Sequence, residues 1–143
     1  MLMGEYMHSI DAKGRIIMPV DFRAELSKKF FITKGLDGCL FIYPQEEWEA
    51  FCEKLKSLPM AKSEARALER FFFSGARLLE LDRQCRFLVP GGLRQYAGLK
   101  KDVVLAGLMT RVELWDEDAW KKYGEEVTPA LAKIAESLAD LGI

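Results

Sequence analysis

Asp11-Ala12-Lys13-Gly14-Arg15-Ile16-Ile17-Met18-Pro19 decides the reading of this chain, because Asp82-Arg83-Gln84-Cys85-Arg86-Phe87-Leu88-Val89-Pro90 echoes it. Asp, Arg and Pro recur at an offset of 71 residues, which also joins Gly4 to Gly75, Ile10 to Leu81 and Phe22-Arg23 to Leu93-Arg94. Further on the offset becomes 72 and pairs Gly35 with Gly107, Tyr43 with Trp115 and Trp48 with Trp120, as one inserted loop residue produces. Self-similarity at a fixed spacing marks a duplicated structural unit, so the chain reads as a tandem duplication.

Each copy opens with a predicted strand, residues 4–10 or 76–81, then a turn beginning at the Asp, then a second strand, residues 15–18 or 86–89. Pro19 and Pro90 lead short segments, residues 20–26 and 91–97, that suit a helix because proline is tolerated in a first turn. Two more strands follow in each copy, residues 30–33 with 39–43 and 103–106 with 112–115. Gly35-Leu36-Asp37-Gly38 has the residue types of a hairpin connection. Short β-branched or aromatic strands separated by Gly, Asp and Pro predict a small barrel or sandwich rather than βαβ units, mainly β with added helices in the α+β class.

The helices follow from spacing. Trp48, Phe51, Cys52 and Leu55 fall at i, i+3, i+4 and i+7 within residues 46–58, a stripe that packs on the first copy, and Pro59 ends it. Asp116 is placed to cap a short helix carrying Trp120 and Tyr123, with Gly124 as its stop. A last helix is expected to start from Thr128 and Pro129 and to line up Leu131, Ile134, Ala135, Leu138 and Leu141, for burial against the body or a neighbouring subunit. Phe71, Phe72 and Phe73 would point about 100° apart on a helix. Burial between the two copies and contact with another subunit both stand as readings of them. The chain then divides into a first module with its helix (residues 4–58), a helical connector (59–75), a second module with its helix (76–123) and a C-terminal helix (124–143).

Composition narrows the function. The chain has 143 residues, 50% hydrophobic and 30% charged, with a net charge of −1. That balance is uneven: residues 1–112 hold 18 basic and 14 acidic side chains, whereas residues 113–143 hold 3 basic and 8 acidic ones. The acidity therefore belongs to the tail, and the body keeps the positive excess that a nucleic-acid partner requires. No stretch approaches the ~20 apolar residues of a membrane span, and the N-terminus lacks the pattern of a secretion signal. A cytoplasmic location is the expectation, with no membrane partner.

Catalysis has little material. His8 is the only histidine and reads as a strand residue near the surface. Cys39, Cys52 and Cys85 are widely spaced, without the close pairs of zinc or redox motifs, and read as reduced thiols. Positive neighbours would favour a thiolate at Cys85, but an inert small side chain is the ordinary reading. The acidic residues form no recognisable constellation, so no enzyme, metal, cofactor or small-molecule substrate is expected.

The Asp-x-x-x-Arg turn with Pro four residues beyond the Arg resembles the core motif of the AbrB-like transition-state regulators. Two such modules in one chain resemble the MraZ family, as do Gly4-Glu5-Tyr6, His8-Ser9-Ile10-Asp11, Lys34-Gly35-Leu36-Asp37-Gly38-Cys39-Leu40 and Arg70-Phe71-Phe72-Phe73-Ser74-Gly75-Ala76. The resemblance spans about residues 4–123. It implies tandem swapped-hairpin modules of the double-split β-barrel kind and a nucleoid-associated repressor of the division and cell-wall gene cluster, including its own gene. It also implies ring-shaped homo-oligomers on repeated elements of double-stranded promoter DNA. An antitoxin-like or purely structural protein-binding module is the competing expectation.

Arginine can grip a phosphate or bond guanine in two places, and a β ribbon is narrow enough to enter the major groove. Arg15 and Arg86 are therefore the first candidates for DNA contact, with an Asp–Arg pair that merely closes the turn as the alternative. Lys13, Arg83, Arg23 and Arg94 are candidates for phosphate contacts, or else solvated surface charges. Asp11 and Asp82 are expected to organise the turns by bonding their backbone or fixing the Arg. Gly14 suits a left-handed backbone or a close approach. Cys85 holds the same slot in the second copy, so the two turns are expected to differ in geometry and Arg86 is the weaker candidate.

Overall fold

Strands of the two copies interleave in one sheet in the computed structural model, which describes residues 1–142. The first copy supplies β1 (Leu2–Ser9), β2 (Arg15–Ile17), α1 (Val20–Leu26), β3 (Lys29–Lys34), β4 (Leu40–Pro44) and α2 (Gln45–Lys56). After α3 (Ser63–Gly75) the second supplies β5 (Arg77–Glu80), β6 (Arg86–Leu88), α4 (Gly91–Ala97), β7 (Asp102–Met109), β8 (Val112–Asp116) and α5 (Glu117–Val127), and α6 (Leu131–Ser137) follows in the tail. The fold is α+β.

The sheet order is β1-β7-β8-β4-β3-β5, with every pairing antiparallel. Each copy's opening strand thus leaves its own module: β1 lies on β7 of the second copy, and β5 lies on β3 of the first. The two short motif strands do the same with each other, β2 pairing β6 in a separate two-stranded ribbon. Opening either copy alone would expose unpaired strand edges, so exchange ties the modules into one body. The register of β1 on β7 sets Gly4 opposite Gly107, where an added side chain on Gly107 would meet the Met3 backbone nitrogen at 2.5 Å.

Period-two alternation separates two cores. Phe30, Ile32, Leu40, Ile42, Val103, Leu105, Val112 and Leu114 face the ribbon and its helices and meet Ile16, Phe22, Phe87 and Leu93 there. The intervening Cys39, Phe41, Tyr43, Val104 and Trp115 face the opposite side and meet Trp48, Leu55 and Phe72. The stripe of α2 packs as its spacing predicts, with Phe51 and Cys52 at the margin. Of the three consecutive phenylalanines, Phe72 is buried in this second core, while Phe71 and Phe73 are half-buried and packed against it.

Helix ends in the last third depart from expectation. Asp116 does cap α5, accepting a bond from the Ala119 N–H, but the helix runs through Gly124 to Val127. A glycine inside a helix costs only about 1 kcal/mol and does not force a stop. Thr128 has a helical backbone and caps nothing with its side chain; the chain passes through a tight turn at Thr128–Ala130 before α6. An N-cap needs an extended backbone, which Thr128 lacks. Leu131, Ile134, Leu138 and Leu141 are 40% to 72% exposed, so this chain alone does not bury that face.

Candidate nucleic-acid interface

Each motif turn is built on one aspartate. Asp11 Oδ1 accepts from the backbone N–H of Lys13 at 2.9 Å and of Arg15 at 2.8 Å, and Asp11 Oδ2 accepts from Arg15 Nε at 2.8 Å. In the second copy Asp82 Oδ1 accepts from the N–H of Gln84 and of Arg86, both at 2.9 Å, and Asp82 Oδ2 accepts from Arg86 Nε at 2.9 Å. Backbone bonds close both loops in the same way, Asp11 N–H to Arg15 O and Gly14 N–H to Asp11 O, then Asp82 N–H to Arg86 O and Cys85 N–H to Asp82 O. The Arg15 backbone N–H, then its side chain and the Lys13 N–H, hold the Asp11 carboxyl below the usual carboxylate range despite an opposing effect of desolvation. Arg86 and Gln84 do the same for Asp82.

The expected difference between the turns is absent. Gly14 has φ +85° and Cys85 has φ +58°, so both copies take the left-handed backbone at that slot. Holding a non-glycine residue there costs roughly 1–2 kcal/mol, and the three bonds to Asp82 fix the turn in spite of it. What separates the copies is the neighbour. Arg94, from α4, lies so close over Gly14 that an added Cβ would stand 2.7 Å from its guanidinium carbon, and its buried Nε has no partner. Arg23, the counterpart of Arg94, donates its Nε to Met18 O at 2.9 Å instead.

The ribbon joins the two turns into one surface. Its register pairs Arg15 with Leu88, Ile16 with Phe87 and Ile17 with Arg86. Ile16 and Phe87 point into the core, so Arg15, Ile17, Arg86 and Leu88 form the outward face. Reciprocal bonds lock the turns to the opposite strand: Met18 N–H donates to Cys85 O, and Val89 N–H to Gly14 O. Each arginine side chain spends Nε on its aspartate and makes no other hydrogen bond among the described residues, leaving its two terminal nitrogens for an outside acceptor. Both are about a third or less exposed, at 30% and 26% for their side chains.

The other candidates divide by position. Lys13 and Arg83 are exposed at the tips of the turns, while Arg23 and Arg94 are half-buried beneath them. The structure thus brings the first pair out with the motif arginines and sets the second pair against the motif backbone, Arg23 at Met18 O and Arg94 at Gly14. Sequence reasoning missed Ile17 and Leu88, which are 44% and 54% exposed and stand opposite Arg86 and Arg15 in the ribbon, and Val20, which is 69% exposed at the start of α1. Counting alternate residues outward from the buried Ile16 and Phe87 would have found the first two. Apolar groups of this kind can contact a thymine methyl.

Among the described residues no cluster of His, Cys, Asp and Glu is placed to hold a metal ion, and no helix is long and apolar enough to cross a membrane. The surface clefts are open, and one of them, lined by Lys28, Glu80, Leu81, Asp82 and Arg83, lies at the second turn.

A family model described as "MraZ protein, putative antitoxin-like" matches residues 1–71 and again residues 72–141. A protein of Heliobacterium modesticaldum named transcriptional regulator MraZ is 52% identical over 143 residues, covering all of both chains. Proteins of the same name from Desulfitobacterium hafniense and Moorella thermoacetica are 54% and 53% identical, again over the full length of both chains.

Proposed function

The chain belongs to the MraZ family, and on that premise we propose that it is a transcriptional regulator that binds double-stranded promoter DNA through its ribbon. Arg15 and Arg86 supply the base or phosphate contacts, and Lys13 and Arg83 add phosphate contacts from the turn tips. Arg23 and Arg94 support the turns from beneath, and Asp11, Asp82 and Gly14 set the turns' shape. The observation that carries this reading is the matched pair of Asp–Arg turns on one two-stranded ribbon, each arginine aimed by its aspartate with both terminal nitrogens unspent. A preset guanidinium loses less freedom on meeting its target.

A single ribbon makes few contacts and would bind weakly at cellular salt. A ring-shaped homo-oligomer presenting several ribbons to repeated elements makes each later contact effectively intramolecular, which raises affinity steeply when spacing matches. The exposed apolar face of the tail supports assembly with further copies. The acidic tail then lies away from the DNA. The family resemblance supports repression of the division and cell-wall gene cluster, including the chain's own gene, from a nucleoid-associated position in the cytoplasm.

The test measures binding of wild type, Arg15→Ala and Arg86→Ala to the chain's own upstream DNA and to a scrambled fragment across a salt series. Each variant is expected to lose roughly ten-fold or more in specific affinity, from a two-pronged contact worth about 1–3 kcal/mol. Equal binding of wild type to both fragments, or to neither, overturns the reading. A reporter that rises with added protein overturns repression.

A further inference from the structure

Beside the first turn lies a cleft of about 230 Å³ whose charged lining residues are Lys34 and Arg77. Four clefts elsewhere, of about 240 to 450 Å³, each carry at least one carboxylate. We propose that the Lys34–Arg77 cleft is a phosphate-binding point for the DNA backbone that flanks the first turn and has no equivalent beside the second. The proposal rests on the reading of the ribbon as a DNA-binding surface.

The fold holds the two cations together. Arg77 on β5 is the register partner of Ile32 on β3, so Lys34, two residues on, shares its sheet face at a diagonal position. Gly75 makes room for the lysine stem: a side chain there would meet Lys34 Cγ at 3.3 Å. The ammonium group sits 5.6 Å from the Phe71 ring centroid and 5.7 Å from that of Tyr96, whose hydroxyl donates to Gly35 O at 2.7 Å. Two aromatic faces thus position this charge, and neither Lys34 nor Arg77 has a carboxylate within ion-pair distance among the described residues. Among the described residues the Arg77 side chain donates only to Ala76 O, at 3.1 Å, and positive charge with no carboxylate beside it suits an oxyanion.

The cleft's location ties it to the first turn. Pro90 and Leu93 line it, Val89 bonds Gly14 O, and Arg94 of the same helix covers Gly14. At the repeat offset the second turn's flank has Ala106 for Lys34, Tyr6 for Arg77 and Asp21 for Gly92. There the Tyr6 hydroxyl donates to Asp21 and the flank carries a carboxylate. A phosphate would be repelled on that side.

The experiment compares wild type, Lys34→Met and Gly92→Asp, with Arg15→Ala alongside, on upstream and scrambled DNA across salt. Lys34→Met keeps an unbranched stem against Phe71 and Tyr96; Gly92→Asp copies Asp21 at a site where a Cβ meets nothing within 4 Å. Each is expected to weaken binding to both fragments several-fold and alike, and Lys34→Met to make the salt slope shallower by about 0.9 for each phosphate it ceases to neutralise. In parallel, inorganic phosphate titrated into the protein without DNA should shift the Gly75 and Gly92 amide resonances of wild type and not of Lys34→Met. Unchanged affinity and slope in both flank variants, with Arg15→Ala impaired, overturns the cleft and leaves the ribbon standing. Wild type that binds neither fragment overturns both, even if phosphate still shifts the two glycines.

Discussion

The two motif turns have the same geometry and different neighbours, which shows that the turn's shape and the residue types around it are set by different parts of the repeat. In both, one aspartate accepts two backbone bonds and one arginine Nε within 2.8–2.9 Å. The fourth residue need not be glycine for this: Cys85 adopts the left-handed backbone as Gly14 does. Glycine at position 14 answers to Arg94, which lies where its side chain would be, whereas Arg23, the counterpart of Arg94, turns to Met18 O. Beyond the turns the contrast widens, with Lys34 and Arg77 flanking the first and Tyr6 and Asp21 flanking the second.

The largest effects should come from the ribbon's shared core, where the copies must behave alike. Phe87 is 1% exposed and meets Phe30 edge-on at 5.6 Å, and its register partner Ile16 is fully buried. Phe87→Ala is expected to destabilise by about 3–5 kcal/mol and Ile16→Ala by about 2–5 kcal/mol in denaturant unfolding. A negligible effect at either position would break the two-sided ribbon. Next comes Gly14→Cys, which makes the first turn read like the second. Backbone strain should cost roughly 1–2 kcal/mol, and crowding of Arg94 adds to it. Combining it with Arg94→Ala should recover the crowding part and leave the strain, a non-additivity that a double-mutant cycle reads directly. The reverse change, Cys85→Gly, relieves strain but loosens the unfolded chain, so its net gain should stay below about 1 kcal/mol. Additive Gly14→Cys and Arg94→Ala effects would remove Arg94 from the account of Gly14.

Much of this was legible in the sequence because duplication doubles every signal. The repeat offset locates the turns, and proline marks the starts of α1 and α4 at residues 20 and 91. Strand exchange was legible only through the family resemblance, which implies swapped-hairpin modules; period-two alternation places a side chain on a face but says nothing about which copy's strand lies alongside. The equivalence of the turns was hidden for a different reason: a glycine-to-cysteine difference advertises a strained backbone, and residue types alone do not show that the local aspartate bonds hold the turn against that strain. Gly124 and Thr128 misled because stop and cap residues act through backbone conformations that the surrounding chain overrides. Lys34 and Arg77 are 43 residues apart, and only the register of β5 on β3 brings them to one cleft.

The smallest effects are protonic, and their pH windows separate what the copies share from what they do not. Asp11 and Asp82 are both held below their usual range by bonds to their arginines and turn backbone. Their stabilisation is present above the unfolded value of about 3.9 and is lost as pH falls through the lower folded values. Asp11→Asn and Asp82→Asn should each remove part of this acid limb, to similar extents. His8 has no such counterpart, because Leu79 occupies the equivalent position. Burial first, and then the charge of Arg23, hold its imidazole below the usual value. With the folded value depressed, the unfolded chain binds the proton more readily, so stability should fall as pH drops from about 6.5 and level off below the folded value. His8→Leu, which gives the first copy the residue of the second, should abolish this step while leaving the aspartate limb intact. Unfolding midpoints of the variant and wild type measured between about pH 7.5 and roughly 5 would decide it: parallel curves would mean that Arg23 and burial place no proton-linked difference between the copies, and that their contrast is confined to the turns and their flanks.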